Sequence, residues 1–266
     1  MVSLREGLML AGGGVVSLVG AGGKTSLMFR LARELAEVGQ TVLTTTTTKI
    51  FEPSPDQATQ LILTASASEL MTQARELLQS QPHICAAAAR LPEQGKLGGL
   101  LPEVIDDISK SRLFQWILVE ADGAARRPLK VPADHEPVIP AATTRLVGVV
   151  GLNGVGRPLI DQWVFRLRQF AELTGLERGA IVNETAVANV LVEEKGIFKD
   201  APDEAERIVF CNQADVPQNL ASGRRIAQCL LRMKNTGIKR VVVGQALCDP
   251  PVLEVYDLNA QSGYDD

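Results

Sequence analysis

A three-layer α/β fold built on a mainly parallel sheet is the architecture this chain of 266 residues predicts. Three observations lead to it. Short runs rich in Val, Ile, Leu and Thr alternate with amphipathic segments of helix length through most of the sequence, the rhythm of successive strand–helix–strand units. The first run passes through a glycine-rich turn directly into a helix. Hydroxyl, carboxylate and amide side chains stand just past the ends of several later runs, and in open parallel sheets ligands bind beyond the carboxyl ends of the strands.

The first element is a strand at residues 15–19, followed by Gly20, Ala21, Gly22, Gly23, Lys24, Thr25 and Ser26, then a helix at 27–38 that Gly39 closes. This is the build of a phosphate-cradling loop. The glycines allow backbone N–H groups to turn inward, and the helix adds its unsatisfied N-terminal amides. Lys24 supplies a point charge for the terminal phosphates and the Thr25 hydroxyl a ligand for Mg²⁺. The full P-loop pattern has glycine six residues before the lysine, where Leu18 stands, so the loop is a shortened one. A glycine turn with no ligand is the competing reading, and the strand–turn–helix context weighs against it. The expectation is a P-loop NTPase-like domain spanning 1–266, binding GTP or ATP with Mg²⁺ through residues 20–26.

The remaining elements follow in order. Residues 41–45 form a β-branched strand and 61–64 a short one. Ser66 and Glu69 make a capping box that opens a helix to Leu78. Residues 84–88 are small and apolar, 91–101 form a loop or hairpin, and Pro102 starts a helix at its favoured first position. A buried strand at 115–120 leads into a long, proline-rich loop at 121–142, and another strand spans 145–150. Helices at 161–172 and 184–193 suggest a small helical insertion at 157–203. Strand 207–212, a helix from about 220 to 233 and strand 240–244 restore the alternation. An edge strand at 252–256 is expected, and the polar tail after Leu258 is expected to fray.

The strand ends supply the other candidates. Thr44 and Thr45 read as strand filler, whereas Thr46, Thr47, Thr48 and Lys49 fall past the strand end, where Thr47 is a candidate Mg²⁺ ligand and Thr48 and Lys49 contacts for substrate or anion. Glu120 and Asp122 follow the most apolar strand. A carboxylate there meets the Mg²⁺ shell or the attacking water, and residues two apart on a strand face one side. Lys24, Glu120 and Asp122 are therefore the catalytic candidates, and Glu120 with Thr25 a candidate metal pair. Arg126, Arg127, Lys130 and His135 decorate the long loop as candidate anion contacts, and Lys96 is a lesser candidate of the same kind. Asn212 and Asp215 end a strand with the spacing of a base-reading motif, in which an ionised carboxylate accepts two hydrogen bonds from guanine. Gln213 replaces the lysine usual there, and a plain Asn/Asp turn is the alternative. The glycines at 151, 154 and 156 do not have dinucleotide-fingerprint spacing.

Composition removes other classes. The formal net charge is −4, which argues against a nucleic-acid partner held on a broad basic surface. Cys85, Cys211, Cys229 and Cys248 show no paired spacing, as expected for reduced, mostly buried thiols and against a structural zinc. No apolar run approaches membrane-span length, and Glu6 breaks any signal-peptide pattern. A cytoplasmic location with no membrane partner is expected.

Several of these segments also resemble known families. The shortened loop is similar to that of Mur-type amide ligases, while Val19 excludes the two-lysine loop of ParA-like ATPases. Glu120 with Gly123 resembles the glutamate form of the switch motif in GTPases that load metals into enzymes, and the Asp122 form fails because Ala125 occupies the glycine position. As a whole, residues 18–25, 44–49, 119–124 with 128–130, 135–137 and 212–215 resemble the YqeC family in order and across nearly the whole chain. That resemblance implies a cytosolic accessory factor in the maturation of a selenium-dependent molybdenum hydroxylase, with the hydroxylase or its cofactor-maturation proteins as partners. Nothing in composition or spacing reads selenium or molybdenum chemistry. The expected activity is nucleotide hydrolysis. Phosphoryl or nucleotidyl transfer of the kinase or ligase kind to a small anionic substrate, and nucleotide-gated binding with little catalysis, are the alternatives.

Overall fold

The computed structural model describes residues 2–258. The chain opens with α1 (Leu4–Gly7), a single turn held by a reciprocal capping box between Ser3 and Glu6. Strand β1 (Gly14–Gly20) runs into α2 (Lys24–Glu37), which begins three residues before the apolar period does. Then come β2 (Val42–Thr46), β3 (Lys49–Phe51), β4 (Leu61–Leu63), α3 (Ala67–Leu77) and β5 (His83–Ala87). Ser66 caps α3 by accepting from the Glu69 amide. A hairpin of β6 (Ala89–Leu91) and β7 (Lys96–Gly98) precedes α4 (Pro102–Ser111), whose Pro102 occupies the first turn.

Strand β8 (Trp116–Glu120) is buried along its whole length. After it, the long loop carries β9 (Leu129–Lys130), and β10 (Thr143–Gly151) follows. Between β10 and β12 lie β11 (Val164–Phe165), α5 (Leu167–Thr174) and α6 (Glu184–Val192). The helix expected from residue 161 thus starts six residues late. Val164 is spent pairing with Leu129 of the long loop, and Arg166 sits at φ +64° ahead of α5. The chain continues with β12 (Glu206–Asn212), α7 (Pro217–Arg232), β13 (Ile238–Gly244) and β14 (Val252–Asp257). Helix α7 starts earlier than expected because Pro217 takes a first-turn position, where its missing N–H costs nothing.

Nine strands form the main sheet in the order β14-β13-β12-β10-β1-β8-β2-β5-β4. All neighbours are parallel except the edge strand β14, which runs antiparallel to β13. Period-2 alternation divides the core between two faces. Val16, Leu18, Leu118 and Phe210 pack with Leu27, Leu31 and Leu35 of α2 on one face. On the other, Val15, Ile117 and Val119 meet α3 and α4, while Val19, Val150 and Val209 meet α5, α6 and α7. A second, antiparallel sheet of β3, β7 and β6 packs onto this core through Ile50 and Leu97. The register aligns Glu120 with Leu18 and Thr46, and Gly151 with Asn212. The candidate residues therefore share one end of the sheet. No helix among the described residues is long and apolar enough to cross a membrane.

Candidate functional site

The turn after β1 is shaped by close backbone contact. A side chain on Gly22 would overlap the Gly151 backbone, and one on Gly23 would overlap the Asn212 amide; both residues also have positive φ, +86° and +113°. Gly23 caps α2 without any side-chain hydrogen bond, and no acidic residue lies in the first turn. The first helical bond runs from Leu27 N–H to the Gly23 carbonyl at 2.9 Å. Among the described residues the amides of Gly23, Lys24, Thr25 and Ser26 have no acceptor. These donors and the positive end of α2 face a cleft of about 740 Å³, the arrangement that binds a phosphate.

The amides further back in the loop are already used. Gly20 N–H donates to Asp122 Oδ2 at 3.0 Å, Ala21 N–H to the Val149 carbonyl at 2.9 Å, and Gly22 N–H to the Arg127 carbonyl at 3.2 Å. This narrows the expected phosphate-facing set from residues 20–26 to 23–26. Gly20, Ala21 and Gly22 shape the turn with their amides directed into the protein.

Lys24 lies at the centre of the charges. Its Nζ donates to the Gly20 carbonyl at 2.6 Å and stands 3.1 Å from Asp122 Oδ1 and 3.8 Å from Glu120 Oε1. Burial disfavours its charge, but Asp122 and Glu120 outweigh that cost and hold its pKa above the ordinary lysine value. Glu120 is shifted upward mainly by burial, with Lys24 and the Thr25 hydroxyl opposing. The Thr25 hydroxyl donates to Glu120 Oε2 at 2.6 Å.

Asp122 belongs to a different structure from Glu120. Only 1% exposed, it accepts from Gly20, faces Lys24 and pairs with Lys130 at 2.9 Å. Lys130 is itself fully buried, paired with Glu136 at 2.8 Å and bonded to the Gly123 carbonyl at 2.6 Å. Glu136 continues to Arg166 at 2.9 Å. Despite partial burial, the hydrogen bond and charge of Lys130 and the charge of Arg166 hold the Glu136 carboxyl below its ordinary range. An alternating chain of charge thus runs from the phosphate loop through the long loop to the start of α5. Lys199 reinforces it, donating to the carbonyls of Ala133, Asp134 and Glu136.

Other candidates fall into two groups. Lys49, Arg126, Arg127 and Glu120 line the cleft with residues 22–26, joined by Phe51, Lys96, Asn153, Trp163 and Gln213. Thr47 does not line it, because its hydroxyl is committed to the Val138 carbonyl at 2.6 Å. Thr48, whose amide closes a turn on the Thr46 hydroxyl, is outside the lining as well, and His135 is exposed on the long loop away from it. Lys130 is turned inward as an ion-pair partner. Asn212 sits under the phosphate loop, donating to the Gly22 carbonyl at 2.8 Å and accepting from Ala246 N–H at 2.9 Å. Asp215 is exposed in the turn before α7 and is not part of the cleft lining. Phe51 carries no sequence signal because β3 is only three residues long, although the strand's exposed–buried–exposed alternation places it outward.

Thr25 and Glu120 offer adjacent oxygen donors at the helix end, which suits Mg²⁺, an ion that takes few protein ligands and fills its shell with phosphate oxygens and water. Among the described residues no group of three or more His, Cys, Asp or Glu side chains is placed to hold a metal. Cys85 and Cys211 are buried and Cys248 is exposed, all as free thiols.

The YqeC protein family model matches residues 16–168. The chain is also 34% identical over 216 residues to the uncharacterized protein YqeC of Escherichia coli (strain K12), covering 81% of this chain and 82% of that one. Among solved structures it is similar to FtsY from Mycoplasma mycoides, with TM-score 0.42, 14% identity, and coverage of 92% of this chain and 63% of that one. It is similar also to the MinD cell division protein of Aquifex aeolicus, with TM-score 0.38, 13% identity, and coverage of 86% and 82%. The chain belongs to the YqeC family.

Proposed function

We propose that this member of the YqeC family binds a Mg²⁺–nucleoside triphosphate at the start of α2 and hydrolyses it. The observation that carries the proposal is the set of acceptorless amides from Gly23 to Ser26, set beside Lys24 and the Thr25–Glu120 pair. The amides hold phosphate oxygens without reorganisation. Lys24 exchanges the Gly20 carbonyl for a phosphate oxygen and stabilises charge that builds on the transferred group. Thr25 and Glu120 hold Mg²⁺, which when bound offsets phosphate charge. Glu120, buried and with a raised pKa, also orients the attacking water. Asp122 serves as a positioning residue that keeps Gly20 and Lys24 in place.

Asn212 supports the same reading, since it ties the base-motif strand to the phosphate loop through Gly22. Asp215 is the residue proposed to read guanine, which would make the nucleotide GTP, with ATP as the alternative. The accessory role, in the cytoplasm and toward a selenium-dependent molybdenum hydroxylase or its cofactor-maturation proteins, rests on what the family resemblance implies. Transfer to a small anionic substrate is the second reading, favoured by the basic residues on the far wall of the cleft. Nucleotide turnover by wild type and Lys24→Ala is the test. A loss of about a hundredfold or more is expected for removing one preorganised charge donor, and equal turnover would remove the assignment.

A further inference from the structure

The far wall of the cleft is built from the small antiparallel sheet. In β3, Ile50 turns into the core while Lys49 and Phe51 point the other way, and Phe51 pairs across the sheet with Lys96 of β7. Lys49, Phe51 and Lys96 consequently share one face and line the cleft opposite the phosphate loop. Arg126 joins them from the long loop, its guanidinium 4.4 Å from the Phe51 ring centre, while the Lys96 ammonium lies 5.1 Å from it. Phe51 is 46% exposed.

The charge on this wall has no internal counterpart. Lys49, Lys96 and Arg126 form no ion pair with a carboxylate among the described residues, although the chain carries an excess of acidic groups. Lys49 reaches only the amide oxygen of Gln94, at 3.3 Å. Cations gathered around one aromatic ring repel each other, and the ring faces compensate only in part.

We propose that this wall is a second binding site, for a phosphate-bearing small molecule distinct from the nucleotide. Its anionic group lies among Lys49, Lys96 and Arg126, and its body rests on Phe51. The site deepens the nucleotide reading of the same cleft, because the second molecule would face the terminal phosphate held at Gly23 to Ser26. The wall itself does not need a nucleotide to be present.

Inorganic pyrophosphate is a suitable probe. Labelled pyrophosphate would be titrated by equilibrium dialysis into protein saturated with Mg²⁺ and a non-hydrolysable nucleotide analogue. One pyrophosphate per chain is expected to bind, weakened at least about tenfold in the double variant Lys49→Ala/Lys96→Ala, since each charge-assisted contact contributes on the order of a tenfold factor. Melting curves confirm that the variant is folded, and Phe51→Leu offers a milder second test, expected to weaken binding of a ring-bearing phosphate ester but not of pyrophosphate. Exclusion of pyrophosphate by the analogue would show a single anion site and overturn the proposal, as would equal affinity in wild type and the double variant. If no nucleotide binds at all, the titration is repeated without it on wild type, Lys24→Gln and the double variant. Loss in the double variant with retention in Lys24→Gln supports the second site even as the nucleotide reading fails, and the reverse pattern removes it.

Discussion

Lys24 and Lys96 face the same cleft from opposite sides and are held in opposite ways. Lys24 is buried and compensated twice over, by Asp122 and Glu120, within a line of charge that continues through Lys130, Glu136 and Arg166. Lys96 stands over an exposed Phe51 ring and forms no ion pair among the described residues. The difference follows from physical cost. A charge taken out of water must be paired to be tolerated, so the inner wall carries its own counterions and holds a fixed geometry. A charge left in water can wait for a ligand. The inner wall is therefore read as machinery that positions a nucleotide, and the outer wall as a surface that receives something else.

The strongest way to break this contrast is at Asp122. Asp122→Ala leaves Lys24 and Lys130 buried with their shared partner gone, and breaking a buried pair in this way costs about 3–5 kcal/mol. Urea unfolding should show that loss. An unchanged midpoint would mean that the inner line of charge is not compensating anything. On the outer wall, Lys96→Ala should change stability by less than about 0.5 kcal/mol, and a large loss there would erase the distinction.

Thr25→Ala sharpens the inner side alone. It removes the hydroxyl that meets Glu120 and is proposed to hold Mg²⁺, so the Mg²⁺-dependence of nucleotide affinity should fall by about tenfold or more while Mg²⁺-free binding changes little. An undiminished Mg²⁺ response would move the metal away from Thr25.

The smallest expected effect separates two carboxylates by pH. The Glu136 pKa is lowered in the folded protein, so its contribution is present above the unfolded carboxylate value, about 4.3, and is lost as pH falls through the lower folded value. The Glu120 pKa is raised, so ionising it costs stability as pH rises from the unfolded value through the folded one. Stability–pH curves should therefore lose part of their acid limb in Glu136→Gln. In Glu120→Gln they should lose part of the decline on going toward neutral pH. Shifts of the same sign in both variants would contradict the assignment.

Much of this was legible in the residues themselves. The apolar run of β8 announces the strand end at Glu120, and Lys24 and Thr25 at a glycine turn announce the loop. The charge partners were harder to read. Lys130 appears in sequence as one basic residue of a hydrophilic loop, and only the pairing of Leu129 with Val164 carries it inward to Asp122. Thr47 looks free at a strand end, yet the long loop returns to place the Val138 carbonyl against it. The short strand β3 has too few residues to show a period, so Phe51 gave no signal. The misses at Lys130 and Thr47 share a cause, since each depends on a contact between segments far apart in the chain, which local pattern does not encode.

The central claim is that the acceptorless amides at the start of α2, with Lys24, Thr25 and Glu120, take a Mg²⁺–triphosphate. Calorimetric titration of non-hydrolysable GTP and ATP analogues, with and without Mg²⁺, into wild type, Lys24→Ala and Asp215→Ala tests it most directly. The expected result is one analogue bound per chain, tighter with Mg²⁺, and greatly weakened in Lys24→Ala, with a preference for the guanine analogue that Asp215→Ala removes. Failure of both analogues to bind the folded wild type, or equal binding by Lys24→Ala, would contradict it.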